Sequence, residues 1–175
     1  MRGFAALTVL VVDDNRHMRE LASSLLRGFG FRQAREAGDV EMAWDIVRQH
    51  EPDIVLVDFD MPDLAGPVLI ERIRREPDSP AHDTAVILMT AFSDRARVVT
   101  SRDAGASEIL AKPISIQSLL DRFVAAIDRP RSFVRAENYV GPDRRRRADP
   151  RFEGPYRRRR DRDVLELDDC GAQRA

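Results

Sequence analysis

Ile54-Val55-Leu56-Val57-Asp58-Phe59-Asp60-Met61-Pro62 opens as a strand apolar on both faces, ends on a carboxylate and runs into a turn at Met61-Pro62. Working outward, four more short runs are candidate strands: Leu7–Val12, Arg32–Glu36, Val86–Met89 and Glu108–Ala111. Helix-period segments separate them. Asn15 can cap a first helix carrying Met18, Leu21, Ala22, Leu25 and Leu26, with Gly28 and Gly30 to stop it. Asp39 can start a second, with Met42, Ala43, Ile46 and Val47 facing inward. Residues 66–75 and 93–103 read as shorter third and fourth helices. Ser115 caps a fifth, where Leu119, Leu120, Phe123, Val124 and Ile127 form a stripe of period 3.6. Apolar strands alternating with helices require a parallel sheet covered on both faces. The expected fold is α/β, a doubly wound five-stranded parallel sheet.

At 175 residues the chain has room for one ordinary domain and an appendage. Its formal charge of −1 hides an asymmetry: residues 1–130 carry 16 basic and 21 acidic side chains, and residues 131–175 carry 13 arginines and 9 acids. The single cysteine, Cys170, cannot close an intrachain disulfide, so a reducing cytoplasm is the expected compartment. Phe4 to Val12 follows Arg2 in the manner of a leader peptide, but it ends in Asp13-Asp14 rather than a small-residue cleavage site. A buried strand fits better, and no apolar run approaches membrane-spanning length.

In doubly wound sheets ligands collect beyond the carboxyl ends of the strands. Asp13 and Asp14 end the first predicted strand, Asp58 the third, Thr90 the fourth and Lys112 the fifth. Three carboxylates placed together repel unless a cation intervenes, and hard oxygen ligands suit Mg²⁺. One carboxylate can then act as nucleophile toward a phosphoryl group, with lysine and hydroxyl neutralising its oxygens. Lys112 is the only lysine among 29 basic residues, and the bond to Pro113 is one that proline allows to be cis. Taken singly, each residue has an ordinary role: a helix cap, a turn former, a solvated loop end. Together they make a site.

These residues resemble the receiver domain of CheY-like bacterial response regulators. The resemblance rests on Val11-Val12-Asp13-Asp14, Leu56 to Pro62 with Gly66, Leu88-Met89-Thr90-Ala91, and Gly105-Ala106 leading to Lys112-Pro113, and spans residues 5–128. It implies a flavodoxin-like receiver fold and a non-enzymatic signalling role with a histidine kinase or phosphotransfer protein as donor. It also implies that Asp58 is the phospho-acceptor, that Asp13, Asp14, Asp58 and the backbone carbonyl of Asp60 hold Mg²⁺, and that Thr90 and Lys112 contact the phosphoryl group. One position departs: the family often has an aromatic switch residue three before the lysine, and here it is Ile109. Phe92 could shield the acyl phosphate or pack on the fourth helix.

Beyond Arg129-Pro130 the periodicity stops, and residues 129–175 form an arginine-rich tail with too little apolar surface to pack independently. It is expected to be flexible in isolation. Within it a phrase recurs with an offset of thirteen residues: Tyr139-Val-Gly-Pro-Asp143 before Arg144, Arg145, Arg146 and Arg147, then Phe152-Glu-Gly-Pro-Tyr156 before Arg157, Arg158, Arg159 and Arg160. Three readings are open: a solvated extension, a nucleic-acid binder, or a site for a small guanine ligand. Five acids stand among ten arginines over residues 139–163, which a pure polyanion binder does not need. Arginine reads guanine O6 and N7, aspartate can accept from the opposite edge, and aromatics stack. Cyclic di-GMP has two guanines and two phosphates.

The tail also resembles that of Cle-type CheY-like proteins, in Arg131-Ser132-Phe133-Val134-Arg135 and in Tyr139 to Asp149. What this implies is a cyclic di-GMP site drawing on Arg131, Arg135, Tyr139, Asp143, Arg144 to Arg147, Asp149 and Arg157 to Arg160. Which arginines read guanine is open, because four in a row offer several registers. The implied output is protein contact at the flagellar motor switch or attachment machinery. No helix-turn-helix pattern follows the receiver, so neither DNA binding nor membrane insertion is expected, and the chain should be a monomer. The competing class is a phosphorelay shuttle or sink with an inert or RNA-associating tail.

Overall fold

A computed structural model describes residues 4–91, 95–128, 131–136, 139–143 and 165–166. Five strands, β1 (Thr8–Val12), β2 (Gln33–Ala37), β3 (Ile54–Asp58), β4 (Ala85–Thr90) and β5 (Glu108–Ala111), form one sheet in the order β2-β1-β3-β4-β5. All four pairings are parallel. Four helices connect them, α1 (Arg16–Gly28), α2 (Val40–His50), α3 (Ala65–Arg75) and α4 (Arg95–Ala104), and α5 (Ile116–Asp128) follows β5. The five predicted strands and helices are all present, with ends shifted by one or two residues.

Strand residues alternate between two cores, as a period of two requires. Leu10, Val12, Val55, Val57, Val86 and Leu88 pack with Trp44, Val47, Leu69, Ile70 and Ile73 of α2 and α3. Val9, Val11, Ile54, Leu56, Ile87 and Met89 pack on the opposite face with Leu26, Phe31, Leu119 and Phe123. The two edge strands are less covered: only Ala37 is buried in β2 and only Leu110 in β5.

The caps explain where the helices begin. Asn15 accepts from the amides of His17 and Met18, Asp39 from that of Met42 at 2.8 Å, and Ser115 from that of Ser118 at 3.1 Å. Two inward assignments are corrected. Leu21 and Met42 are about half exposed, at 48% and 49%, because the buried arcs of α1 and α2 centre on Ala22 with Leu26 and on Ala43, Trp44 and Val47. Trp44, on the other side of α2 from Met42, is buried instead, and Arg72 lies over its ring with Cζ 4.8 Å from the centroid.

The start of the tail is also corrected. β6 (Phe133–Ala136) and β7 (Tyr139–Pro142) form an antiparallel hairpin, and β8 (Leu165–Glu166) pairs antiparallel with β6. Val134, Tyr139, Gly141 and Pro142 are buried. These few apolar groups could not form a core of their own, but here they cover an existing surface of the sheet-and-helix domain. At its centre is Arg74 of α3, only 1% exposed. Arg74 Nε donates to Gly105 O at 3.1 Å and Nη1 to His82 O at 2.7 Å, while Phe133 lies over the guanidinium at 5.0 Å. Burial, against the opposing charges of Tyr139 and Asp83, lowers the Arg74 pKa to about 10.

Candidate functional site

The strand order reverses between β1 and β3, which opens a crevice at their carboxyl ends. Asp13 and Asp14 follow β1, and Asp58 is the last residue of β3. Asp13 and Asp58 are buried, at 1% and 4% exposure, and Asp14 is exposed. One carboxylate oxygen from each lies within 4.8 Å of the other two. Lys112 directly follows β5 and reaches across the rim, its Nζ 3.0 Å from Asp58 Oδ1 and 3.3 Å from Asp13 Oδ2. Asp13 Oδ1 accepts from the Asn15 amide at 2.9 Å. Thr90, the last residue of β4, is fully buried, and its carbonyl accepts from the Lys112 amide at 2.8 Å. The peptide bond from Lys112 to Pro113 is cis.

Five of the residues singled out from sequence therefore meet at one rim, drawn from the ends of four strands. Asp60 is present too, but its carboxylate has an engagement that sequence did not indicate. Asp60 Oδ2 accepts from the Ala91 amide at 3.1 Å, and Oδ1 pairs with Arg97 of α4. The Arg97 guanidinium also lies over the Phe59 ring, 4.9 Å from its centroid. Phe92 lies outside the described residues. Ile109, in β5, is partly buried.

The charges are strained in a way that suits a cation or an anion-transfer step. Burial raises the Asp58 pKa and the charge of Asp13 adds to this, while Lys112 opposes without prevailing. Lys112 is raised: burial works against its charge, but the close Asp58 carboxylate, with Asp13 behind it, outweighs that. Asp60 is lowered, because the Ala91 amide and Arg97 overcome its partial burial. Asp58 Oδ1 has the Lys112 ammonium beside it but no well-aligned hydrogen bond. A buried oxygen left so, with two more carboxylates in reach, fits the hard-ligand set of a small divalent cation.

A consequence for stability follows in metal-free buffer. With its folded pKa above 3.8, Asp58 binds more protons in the native than in the unfolded state between those values, so its contribution declines as pH rises through that window. Asp58→Asn is accordingly expected to melt higher than wild type at pH 7 in EDTA, with the advantage fading by about pH 4. Thermal denaturation at the two pH values checks this, and a lower melting point at pH 7 contradicts it.

Comparison with known proteins settles the family. The profile of the response regulator receiver domain matches residues 9–124. The chain belongs to the response regulator receiver family. It is 35% identical over 113 residues to a probable chemotaxis protein CheY of Rhizobium etli, covering 65% of this chain and 86% of that one. Chemotaxis protein CheY-3 of Vibrio cholerae is 28% identical, with 70% and 93% covered. Among solved structures, a putative response regulator from Chloroflexus aurantiacus superposes with a TM-score of 0.65 at 30% identity, covering 70% of this chain and 98% of that one. As a CheY-like receiver, the chain is a component of two-component signalling. The family match stops before the hairpin.

Of the tail residues expected at a ligand site, four are described. Arg131 is engaged, its Nη2 2.9 Å from Glu108 Oε1, and Arg122 of α5 holds the other oxygen of Glu108 at 3.1 Å. Arg135 is exposed on β6, and Asp143 donates its amide to Ser132 O at 2.7 Å. Tyr139 is a correction: it is 9% exposed and its hydroxyl donates to Pro142 O at 2.7 Å, so its ring is a packing group rather than an open stacking face. Arg144 to Arg147, Asp149 and Arg157 to Arg160 lie outside the described residues.

Proposed function

We propose that Asp58 is the phospho-acceptor of this receiver. The observation that carries the reading is the buried Asp58 Oδ1 lacking an aligned hydrogen bond, 3.0 Å from the only lysine of the chain and beside Asp13 and Asp14. A carboxylate oxygen of Asp58 attacks the phosphorus of a phosphohistidine. The new O–P bond makes an acyl phosphate, and the breaking P–N bond returns its electron pair to the donor imidazole. Lys112 then shares its charge between Asp13 and the incoming phosphoryl oxygens, and the Thr90 hydroxyl supplies a donor at the same rim. Asp13, Asp14, Asp58 and the Asp60 carbonyl are the residues that would hold Mg²⁺. When bound, Mg²⁺ supplies neutralisation of the phosphoryl oxygens. Acetyl phosphate with Mg²⁺ is expected to add one phosphoryl group to wild type and none to Asp58→Asn, read by intact mass. Equal labelling of both proteins sinks the assignment.

For the tail, the reading is a cyclic di-GMP effector acting by protein contact, the motor switch being the partner class the resemblance implies. The duplicated Gly-Pro-Arg phrase and its interleaved aspartates support it. The α4, β5 and α5 face is the surface proposed for the partner, with Ile116 exposed at the start of α5. A receiver acting as a phosphate shuttle or sink is the second reading, favoured by Ile109 at the position where an aromatic would report phosphorylation. Calorimetry with cyclic di-GMP separates them. The truncated control ends after Asp143, because a cut at Pro130 also removes the packed hairpin. No heat for the full chain, or equal heat after truncation, removes the effector reading.

A further inference from the structure

The Asp60 carboxylate joins three parts of the protein, one of which, α4, is not part of the β3–β4 pairing that links the other two. Through its own backbone it belongs to the turn two residues after Asp58. Through Oδ2 it holds the amide of Ala91, directly after β4. Through Oδ1 it holds Arg97, in the first turn of α4. Arg97 is further anchored over Phe59, so it grips both residues that follow Asp58. Its carbonyl accepts from Ser101 Oγ at 2.6 Å, one turn along α4. A displacement of the Arg97 backbone is thereby passed to the next turn of α4.

Charge at Asp58 acts on this joint directly. A phosphoryl group brings roughly 1.5 to 2 additional negative charges and three strong acceptor oxygens. Placed on Asp58, it repels the Asp60 carboxylate and competes with it for the Ala91 amide and for the Arg97 guanidinium. Arginine is suited to the exchange, because its planar fork can leave a carboxylate for a phosphoryl group without losing charge or directionality.

We propose that Arg97 is a positioning residue that carries the phosphorylation state of Asp58 into α4, by transferring from Asp60 toward the phosphoryl oxygens. The proposal rests on Asp58 being the phospho-acceptor. Ile109 has no polar group to take part in such a relay, whereas the Asp60–Arg97 pair is polar, partly shielded and attached to the helix that borders the proposed partner face.

The test uses the full chain, isotopically labelled, with acetyl phosphate and Mg²⁺, and follows α4 amide resonances together with intact mass on the same samples. In wild type, amides of Val98 to Ala104 are expected to shift on phosphorylation. In Arg97→Met those amides should start displaced and move at least threefold less at equal phosphoryl occupancy, while Arg97→Lys, which keeps the charge without the fork, falls between. Unchanged melting points of both variants keep the comparison structural. A wild-type-sized shift in phosphorylated Arg97→Met overturns the relay alone. A wild-type protein that gains no mass overturns the phospho-acceptor reading and the relay with it.

Discussion

Gly66→Ala is expected to destabilise the receiver by about 3 kcal/mol and to cut phosphorylation by acetyl phosphate at least tenfold, despite being the smallest side chain that can be added. Gly66 is the second residue of α3 and is buried. A Cβ built there lies 2.1 Å from Asp58 O and 3.0 Å from both Asp58 C and Phe59 Cα. These are backbone atoms, so no rotamer change relieves the clash. By intrinsic preference the change should help, since alanine in a helix is favoured over glycine by about 1 kcal/mol. Sterics must outweigh that gain, because the helix start and the turn after β3 cannot both stay in place. The turn that yields is the one carrying Asp58 and Asp60, which is why stability and chemistry should fail together. Chemical denaturation and mass spectrometry read the two effects. A variant with wild-type stability and wild-type labelling would show that the close approach is not what fixes the site.

Much of this arrangement could be read from the order of residues. Asn15, Asp39 and Ser115 announce helix starts through short-range geometry, and the strand runs are apolar because both faces of the sheet are covered. The acidic cluster was legible because each member sits at the end of a strand, where topology alone brings them together. Helix phase was less so: Leu21 and Met42 lie outside the buried arcs of their helices, and the core side of α2 carries Trp44. The Asp60–Arg97 pair was not legible, since its partners are 37 residues apart and neither belongs to a local motif. The hairpin was missed for a related reason. Composition reports whether a segment can form its own core, not whether it can complete a neighbour's, and the buried Arg74 looks like any surface arginine at the end of a helix.

The hairpin supplies the second large effect: Gly141→Ala is expected to detach it while leaving the receiver folded. A Cβ at Gly141 would lie 2.7 Å from Tyr139 Oη and 3.0 Å from the Cα of Gly105, and its φ of +157° is one that side chains adopt at a cost. The opposite position is equally tight, since a Cβ at Gly105 would meet Arg74 Cγ and Val140 O at 3.1 Å. Docking has little reserve against such a clash. Burying Val134, Tyr139 and their neighbours contributes roughly 1.5–3 kcal/mol for each large apolar side chain. Ordering each backbone residue costs about 1–2 kcal/mol in return. Covering Arg74 adds a further cost, visible in its lowered pKa and in an Nη2 with no hydrogen-bond partner among the described residues. A perturbation of about 2 kcal/mol should therefore decide whether the hairpin is bound. Hydrogen exchange of the Val134 and Ala136 amides, which lie at hydrogen-bonded positions of the hairpin, is expected to become fast in Gly141→Ala while that of β1 and β3 stays slow. Slow exchange at Val134 and Ala136 in the variant would mean that docking is stronger than this balance allows. The hairpin leads directly into Arg144, so its release also tests whether ligand binding by the tail depends on being held against Arg74. Unchanged cyclic di-GMP affinity in Gly141→Ala would show that the arginines act as a free segment.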